Sequence, residues 1–452
     1  MHYSYGAALR GGFLKLCAAV LLGPCVINPA MSADQHRPVV QAWVTSADQS
    51  RLLLREPDVS FQSGTEASHS IVVDAHIRYQ QMVGFGAALT DASAWLIQTR
   101  MNPEQREALL QDLFGRSGGV GLSFTRLTIG ASDFSRSHYS FDDMPAGQSD
   151  LALAHFSIAP NRADVMPVIK RALTINPSLR VMASPWSAPG WMKTTDSLIA
   201  GTLRPDAYGV FADYLLRYLD AYSAEGVPIF ALTLQNEPHF EPGDYPGMRL
   251  DPAARAALIG KYLGPKLAKR GSATRILDWD HNWDLPEQPL AVLADPVARQ
   301  YVAGVAWHCY GGAAPAQSVV HDAYPDKETY FTECSGGDWS PHALLSATRD
   351  VIIGSVRGWA KGVLLWNLAL DENRGPHTGG CTDCSGVVTI NSVSGAVTRN
   401  PEYYALAHLS RFVHPGAYRI ASSVSNSVQY LPPVSAQIFP LYRLVQNDFY
   451  YA

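Results

Sequence analysis

Apolar positions change their period along this chain. From Val39 to Asp74 they come in short runs, Val39–Thr45, Arg51–Leu54 and Ser70–Asp74, separated by polar and turn residues, which predicts a few β-strands. From about residue 80 strand-like apolar runs alternate with amphipathic helical stretches. Eight runs read as strands: Met82–Ala88, Ser123–Ile129, Arg180–Pro185, Ile229–Leu234, Arg275–Trp279, Gly304–Cys309, Thr329–Thr332 and Val363–Leu368. The clearest helix follows Pro205. Phe211, Tyr214, Leu215, Tyr218, Leu219 and Tyr222 recur at helical spacing as one apolar stripe, and Gly226 closes it. Asn102-Pro103, Asp251-Pro252 and Asn400-Pro401 each join a capping side chain to a proline and predict three further helix starts.

Strand-then-helix repetition requires parallel pairing, because each crossover needs the length of a helix. Eight such units predict an α/β fold, a closed (β/α)8 barrel over about residues 79–415. An open doubly wound sheet is the alternative. Its dinucleotide loop would have to be Gly84-Phe85-Gly86-Ala87-Ala88-Leu89, which lacks the third glycine.

Composition narrows the partners. With 452 residues, 47% of them apolar and 17% charged, the chain is neither a disordered tail nor a small disulfide-stapled domain. It carries 35 Lys+Arg against 40 Asp+Glu and has no basic block that could track a phosphate backbone. Nucleic acid is therefore excluded as a partner and a neutral substrate expected. At the N-terminus, Arg10 and Lys15 precede the apolar run Leu16–Ile27, and small residues follow near Ala30-Met31-Ser32-Ala33. That order predicts a secretory signal over residues 1–33 and a secreted or periplasmic product without a membrane span. A buried N-terminal strand or uncleaved anchor is the bland alternative.

Cys17 and Cys25 would leave with the signal. Cys309 and Cys334 lie in apolar runs and read as buried thiols under the helices, with a disulfide between them as the alternative. Cys381 and Cys384 form a Cys-x-x-Cys in a glycine-rich loop. In an exported protein a local disulfide is the simplest reading; a zinc site using His377 would lack a second cysteine pair.

In a barrel of this kind chemistry sits at the carboxyl ends of the strands. Those ends here carry Thr90-Asp91, Ser184-Pro185-Trp186, Gln235-Asn236-Glu237-Pro238, His308-Cys309-Tyr310, Glu333 and Trp366-Asn367. Carboxylates and amides suit sugar hydroxyls, and aromatic rings suit the apolar face of a pyranose. Glu237 and Glu333 end strands that face one another across the barrel, and retaining glycosidases need two carboxyl groups about 5–5.5 Å apart. A lone glutamate at a strand end is more often a surface ion pair or a cap, so the pair carries the inference. Arg126, inward by alternation in the second strand, is expected beneath the glutamates as their charge partner. Trp186 and Trp366 as core fillers, and His308 as a satisfied neighbour rather than a contact, are the structural alternatives.

These residues resemble a known family. Gly84-Phe85-Gly86-Ala87-Ala88-Leu89-Thr90-Asp91, Ala131-Ser132-Asp133-Phe134-Ser135, Ala183-Ser184-Pro185-Trp186-Ser187-Ala188-Pro189-Gly190-Trp191, Gln235-Asn236-Glu237-Pro238, Thr332-Glu333-Cys334 and Trp366-Asn367-Leu368-Ala369-Leu370 are similar, in order and spacing, to glycoside hydrolase family thirty, the glucosylceramidase family. The resemblance implies Glu237 as acid/base and Glu333 as nucleophile. It also implies Asn236 on the sugar 2-hydroxyl, Asp91, Trp186 and Trp366 lining the sugar subsite, and His308 and Tyr310 beside the carboxylates. No metal or cofactor is implied. It further implies a β-sandwich side domain, here built from residues 34–78 and a short segment 416–452 in which the family's later strands are missing. The expected activity is hydrolysis of β-glucosides, glucosylceramide included, with a carbohydrate or glycolipid as partner. An endo-β-1,6-glucanase, a β-xyloside- or β-fucoside-directed enzyme, and an inactive carbohydrate-binding remnant are the alternatives.

Overall fold

A computed structural model describes residues 39–60, 72–337, 343–423 and the short strand Gln437–Ile438. The predicted signal over residues 1–33 and most of the C-terminal segment after Ser423 lie outside the described residues.

All eight predicted strands form, and they close into one barrel in chain order: β1 Gly84–Ala88, β2 Phe124–Ile129, β3 Arg180–Pro185, β4 Ile229–Thr233, β5 Arg275–Asn282, β6 Val302–His308, β7 Glu328–Glu333 and β8 Ala360–Leu365. Every neighbouring pair is parallel. The fold is thus the (β/α)8 barrel. Gly84 and Gly86, which an open sheet would have spent on a phosphate, serve closure instead. A Cβ on Gly86 would strike the Phe124 carbonyl of β2.

Alternation inside the barrel builds layers. Phe124, Met182, Ala231, Leu277, Ala306, Tyr330 and Leu364, one from each of β2 to β8, form a closed apolar cluster. A separate, larger cluster fills the space between strands and helices. The helix Tyr208–Ala224 buries the predicted stripe from Phe211 to Tyr222 in it. Two of the three predicted caps form. Asn102 makes a capping box with Gln105, and Asp251 accepts from the Ala254 N–H. Asn400 does not cap its helix: its amide donates to the Gly386 carbonyl and to Thr389, because the incoming loop offers a partner before the helix does.

The N-terminal strands differ from expectation in extent. The run from Val39 breaks after Val40 and resumes at Trp43–Ser46, while Val73–Gln81 continues unbroken almost to β1. Val39–Val40 pairs locally with Val59–Ser60, but the other two pair with C-terminal chain: Val73–Gln81 lies antiparallel to Tyr418–Ser422, and Trp43–Ser46 pairs with Gln437–Ile438. No helix among the described residues is long and apolar enough to cross a membrane.

Candidate active site

One step above the apolar layer the same strands turn polar. Arg126, Ser184, Thr233, His308 and Thr332 each stand two residues beyond a member of that layer, and all are buried. On β5 the alternation breaks. Pairing with β6 slips between Trp279 and His281, and Trp279 and Asp280 both take left-handed φ angles, 76° and 56°. This bulge turns Trp279 outward, where Arg255 lies over its ring, and brings Asp280 inward in its place.

Asp280 is the hub of the layer. Its Oδ2 accepts from Arg126 at 2.8 Å, Ser184 at 2.6 Å and Thr233 at 2.8 Å. Its Oδ1 accepts from Thr332 at 2.7 Å and faces His308 Nε2 at 3.1 Å. Burial alone would raise this carboxyl, but Arg126 and the converging donors hold it far below the usual range. Arg126 in turn reaches upward. It donates to Glu333 Oε2 and, at 2.7 Å, to Asn236 Oδ1. The predicted charge partner beneath the glutamates is therefore in place, with Asp280 anchoring it.

Glu237 follows β4 with φ of 48°, its N–H bonded to the Asp280 carbonyl at 3.0 Å. Left-handed backbone at a non-glycine residue is strained and persists where packing imposes it. His308 Nδ1 stands 3.0 Å from Glu237 Oε1, and the Tyr310 hydroxyl donates to Glu333 Oε1 at 3.0 Å. The facing atoms of Glu237, His308 and Glu333 all lie within 4.8 Å of one another.

Burial raises both glutamates, and the cations oppose it. For Glu333 burial and the Glu237 charge prevail over His308 and Arg126, leaving it above the ordinary value. For Glu237 the His308 bond and the nearby histidine and Arg126 charges prevail, leaving it below. Burial lowers His308, but Glu333, Asp280 and Glu237 more than compensate and raise it to about 9. With Arg126 and His308 cationic and Asp280 anionic, a single further negative charge neutralises the set. The two glutamates face the same cations and each other, and they titrate as a pair.

Trp186 and Trp366 stack on each other at 5.1 Å above Arg126 and join Phe134 and Cys384 in one wall. Asp91 is not among the groups brought together. It opens the helix Asp91–Thr99, and both its oxygens accept from Arg136, by the guanidinium at 3.0 and 3.3 Å and the backbone N–H at 3.1 Å. Asp133, which the residue pattern left without a role, fits better. It is buried, its Oδ1 has no protein partner, and burial and the Glu333 and Glu237 charges push its carboxyl well up. Its place in the quoted motif next to Phe134 was the available signal.

Cys381 and Cys384 form the expected local disulfide, in a loop whose Gly380 lies directly on Asp133. Cys309 and Cys334 are not free thiols. They are bonded to each other, because neighbouring parallel strands end with their Cα atoms 5.4 Å apart.

Comparison with known proteins agrees with this geometry. The Glycosyl hydrolase family 30 TIM-barrel domain matches residues 82–413. An endo-1,6-beta-D-glucanase of Aspergillus fumigatus is 35% identical over 422 residues, 86% of this chain and 84% of that protein. The solved structure of an endo-beta1,6-glucanase superposes with a TM-score of 0.79 at 36% identity, covering 86% of this chain and 88% of that one. The lysosomal acid glucosylceramidase of Mus musculus is 29% identical over 382 residues, 77% of this chain and 71% of that protein. A barrel that gathers two glutamates over a buried arginine, matched along most of its length, places the chain: it belongs to glycosyl hydrolase family 30 and is a glycoside hydrolase.

Proposed function

We propose that the protein is a retaining endo-β-1,6-glucanase in which Glu333 is the nucleophile and Glu237 the acid/base. The observation that carries the mechanism is the approach of the two carboxylates, whose facing oxygens lie within 4.8 Å. That approach suits a retaining pair, with carboxyls about 5–5.5 Å apart, better than an inverting pair at about 6.5–9.5 Å. In the free site the proton favours Glu333. The glycosidic oxygen seated on Glu237 draws it there, and Glu333, ionised against Arg126 and Tyr310, attacks the anomeric carbon while Glu237 gives its proton to the departing glycosidic oxygen. Formation of the glycosyl-enzyme removes the Glu333 charge. Glu237, now without an anion beside it, stays ionised against His308 and takes a proton from the incoming water, whose oxygen bonds the anomeric carbon as the bond to Glu333 breaks and its carboxylate returns. Asn236, oriented by Arg126, serves the sugar 2-hydroxyl, and Asp133 with the Trp186–Trp366 wall serves the rest of the ring.

The linkage rests on the relatives: endo-1,6-glucanases match at 35–36% identity, the mouse glucosylceramidase at 29%. This favours the glucan over the glucosylceramide that the motifs alone put first. The test is incubation with a β-1,6-glucan, glucosylceramide, and aryl β-glucoside, β-xyloside and β-fucoside. A ladder of glucan oligosaccharides with first-formed β-anomers is expected. Cleavage of glucosylceramide with the glucan untouched overturns the linkage, and first-formed α-anomers overturn the mechanism.

A further inference from the structure

We propose that the Cys309–Cys334 disulfide is a positioning element of the reaction, holding the ends of β6 and β7 so that His308 and Tyr310 meet the two glutamates. The inference rests on the reading of Glu237 and Glu333 as the reacting pair and adds to it what keeps their partners in register. The ladder between β6 and β7 runs regularly from Gly304–Glu328 to Trp307–Phe331, then slips, so that His308 faces Glu333. Beyond that pair the ladder ends, and the next link between the two strands is the sulfur bridge.

Its neighbours in the chain are the groups that touch the carboxylates. Cys309 stands between His308, which faces Glu237, and Tyr310, which donates to Glu333. Cys334 directly follows Glu333, and its carbonyl accepts the Trp366 N–H at 2.8 Å, tying the bridge to the aromatic wall as well. Tyr310 is 46% exposed, its ring edge-on to that of His308 at 6.1 Å. Its backbone is held on one side by Asn282, through a bond of 3.1 Å to the N–H, and on the other by the bridge. A hydroxyl that must stay within hydrogen-bond reach of a nucleophile cannot tolerate drift of about an ångström, which costs rate rather than affinity.

The barrel does not need this bond to close, since every strand pair is laddered, the inner apolar cluster lies elsewhere and the two cysteines only pack against the larger cluster from its edge. The double variant Cys309→Ala/Cys334→Ala is therefore expected to keep a cooperative unfolding transition, at a lower temperature. Its kcat should fall about ten- to a hundredfold, as for other groups that orient a reacting residue, with KM within about threefold. In a Tyr310→Phe background, removing the bridge should cost only a few-fold more, because the donor it positions is already gone. Unchanged kcat, a loss carried by KM, or fully additive losses overturn the proposal.

Should the double variant fail to fold, the native enzyme is treated with dithiothreitol. That reagent supplies two electrons and two protons to the bridge and leaves as its cyclic disulfide. Alkylation and peptide mapping then follow the Cys309–Cys334 and Cys381–Cys384 bonds separately. Activity lost in step with reduction at Cys309 and Cys334 supports the proposal, and activity surviving it overturns the proposal. Azide rescue of Glu333→Gly with the bridge intact tests the underlying reading by itself, so the two failures are distinguishable.

Discussion

Two adjacent layers of one barrel, built by the same strands, obey opposite rules. The lower layer from Phe124 to Leu364 is apolar but for the Tyr330 hydroxyl, which donates to Glu328. The layer above it, two residues further along the strands, is almost wholly polar or charged and equally buried. Apolar side chains at that depth would be favourable without further conditions, whereas each buried charge is tolerable only while its partners stay in place. The lower layer therefore serves stability, and the upper one spends stability on fixing where charges sit. Near the mouth Glu237, Asp280 and Asn367 adopt left-handed φ angles, which persist where packing imposes them.

The contrast can be broken most severely at the top. Replacing Glu333 by Gly should lower turnover of an aryl β-glucoside by about four orders of magnitude or more, with partial rescue by azide. Residual turnover close to wild type would remove the nucleophile role. One level down, Asp280→Asn keeps the shape but leaves Arg126 and His308 without their anchor. Activity should fall about a hundredfold, and chemical denaturation should show a loss of about 3–5 kcal/mol, as for a buried pair deprived of one partner.

In the apolar layer the two effects should separate. Leu364→Ala is expected to cost about 2–5 kcal/mol of stability while the folded enzyme keeps its kcat within about twofold. A comparable loss of kcat would mean that the layers are not independent.

The upper layer should also respond to pH. His308 is raised to about 9 from 6.5, so its contribution to stability is complete below about 6.5 and is lost as pH rises through about 9. Unfolding free energies and kcat/KM should both decline across that alkaline window, and His308→Asn should remove the midpoint near 9. At the surface, by contrast, charge should matter little. Asp220→Ala breaks an exposed pair with Arg270, and the expected change is under about 1 kcal/mol, within the error of a denaturant titration.

Periodicity exposed the barrel because each strand or helix writes its buried face into its own residues. Glu237, Glu333 and Arg126 were legible for the same reason, each standing at a strand end or on an inward position. Asp280 was not, because the expected strand stopped at Trp279 and strict alternation would have pointed Trp279 inward; the bulge reversing that is imposed by the neighbouring strand. Asp91 and Asp133 are both motif aspartates, and only the position of Arg136 decides which one is neutralised elsewhere. The Cys309–Cys334 bond depends likewise on where two strands happen to end side by side. By itself, then, the sequence determined the elements, their order and the placing of two glutamates at strand ends, since these follow from local spacing. Tertiary structure alone decided which charges face each other and which side chain a bulge turns inward, because those outcomes depend on residues far apart in the chain.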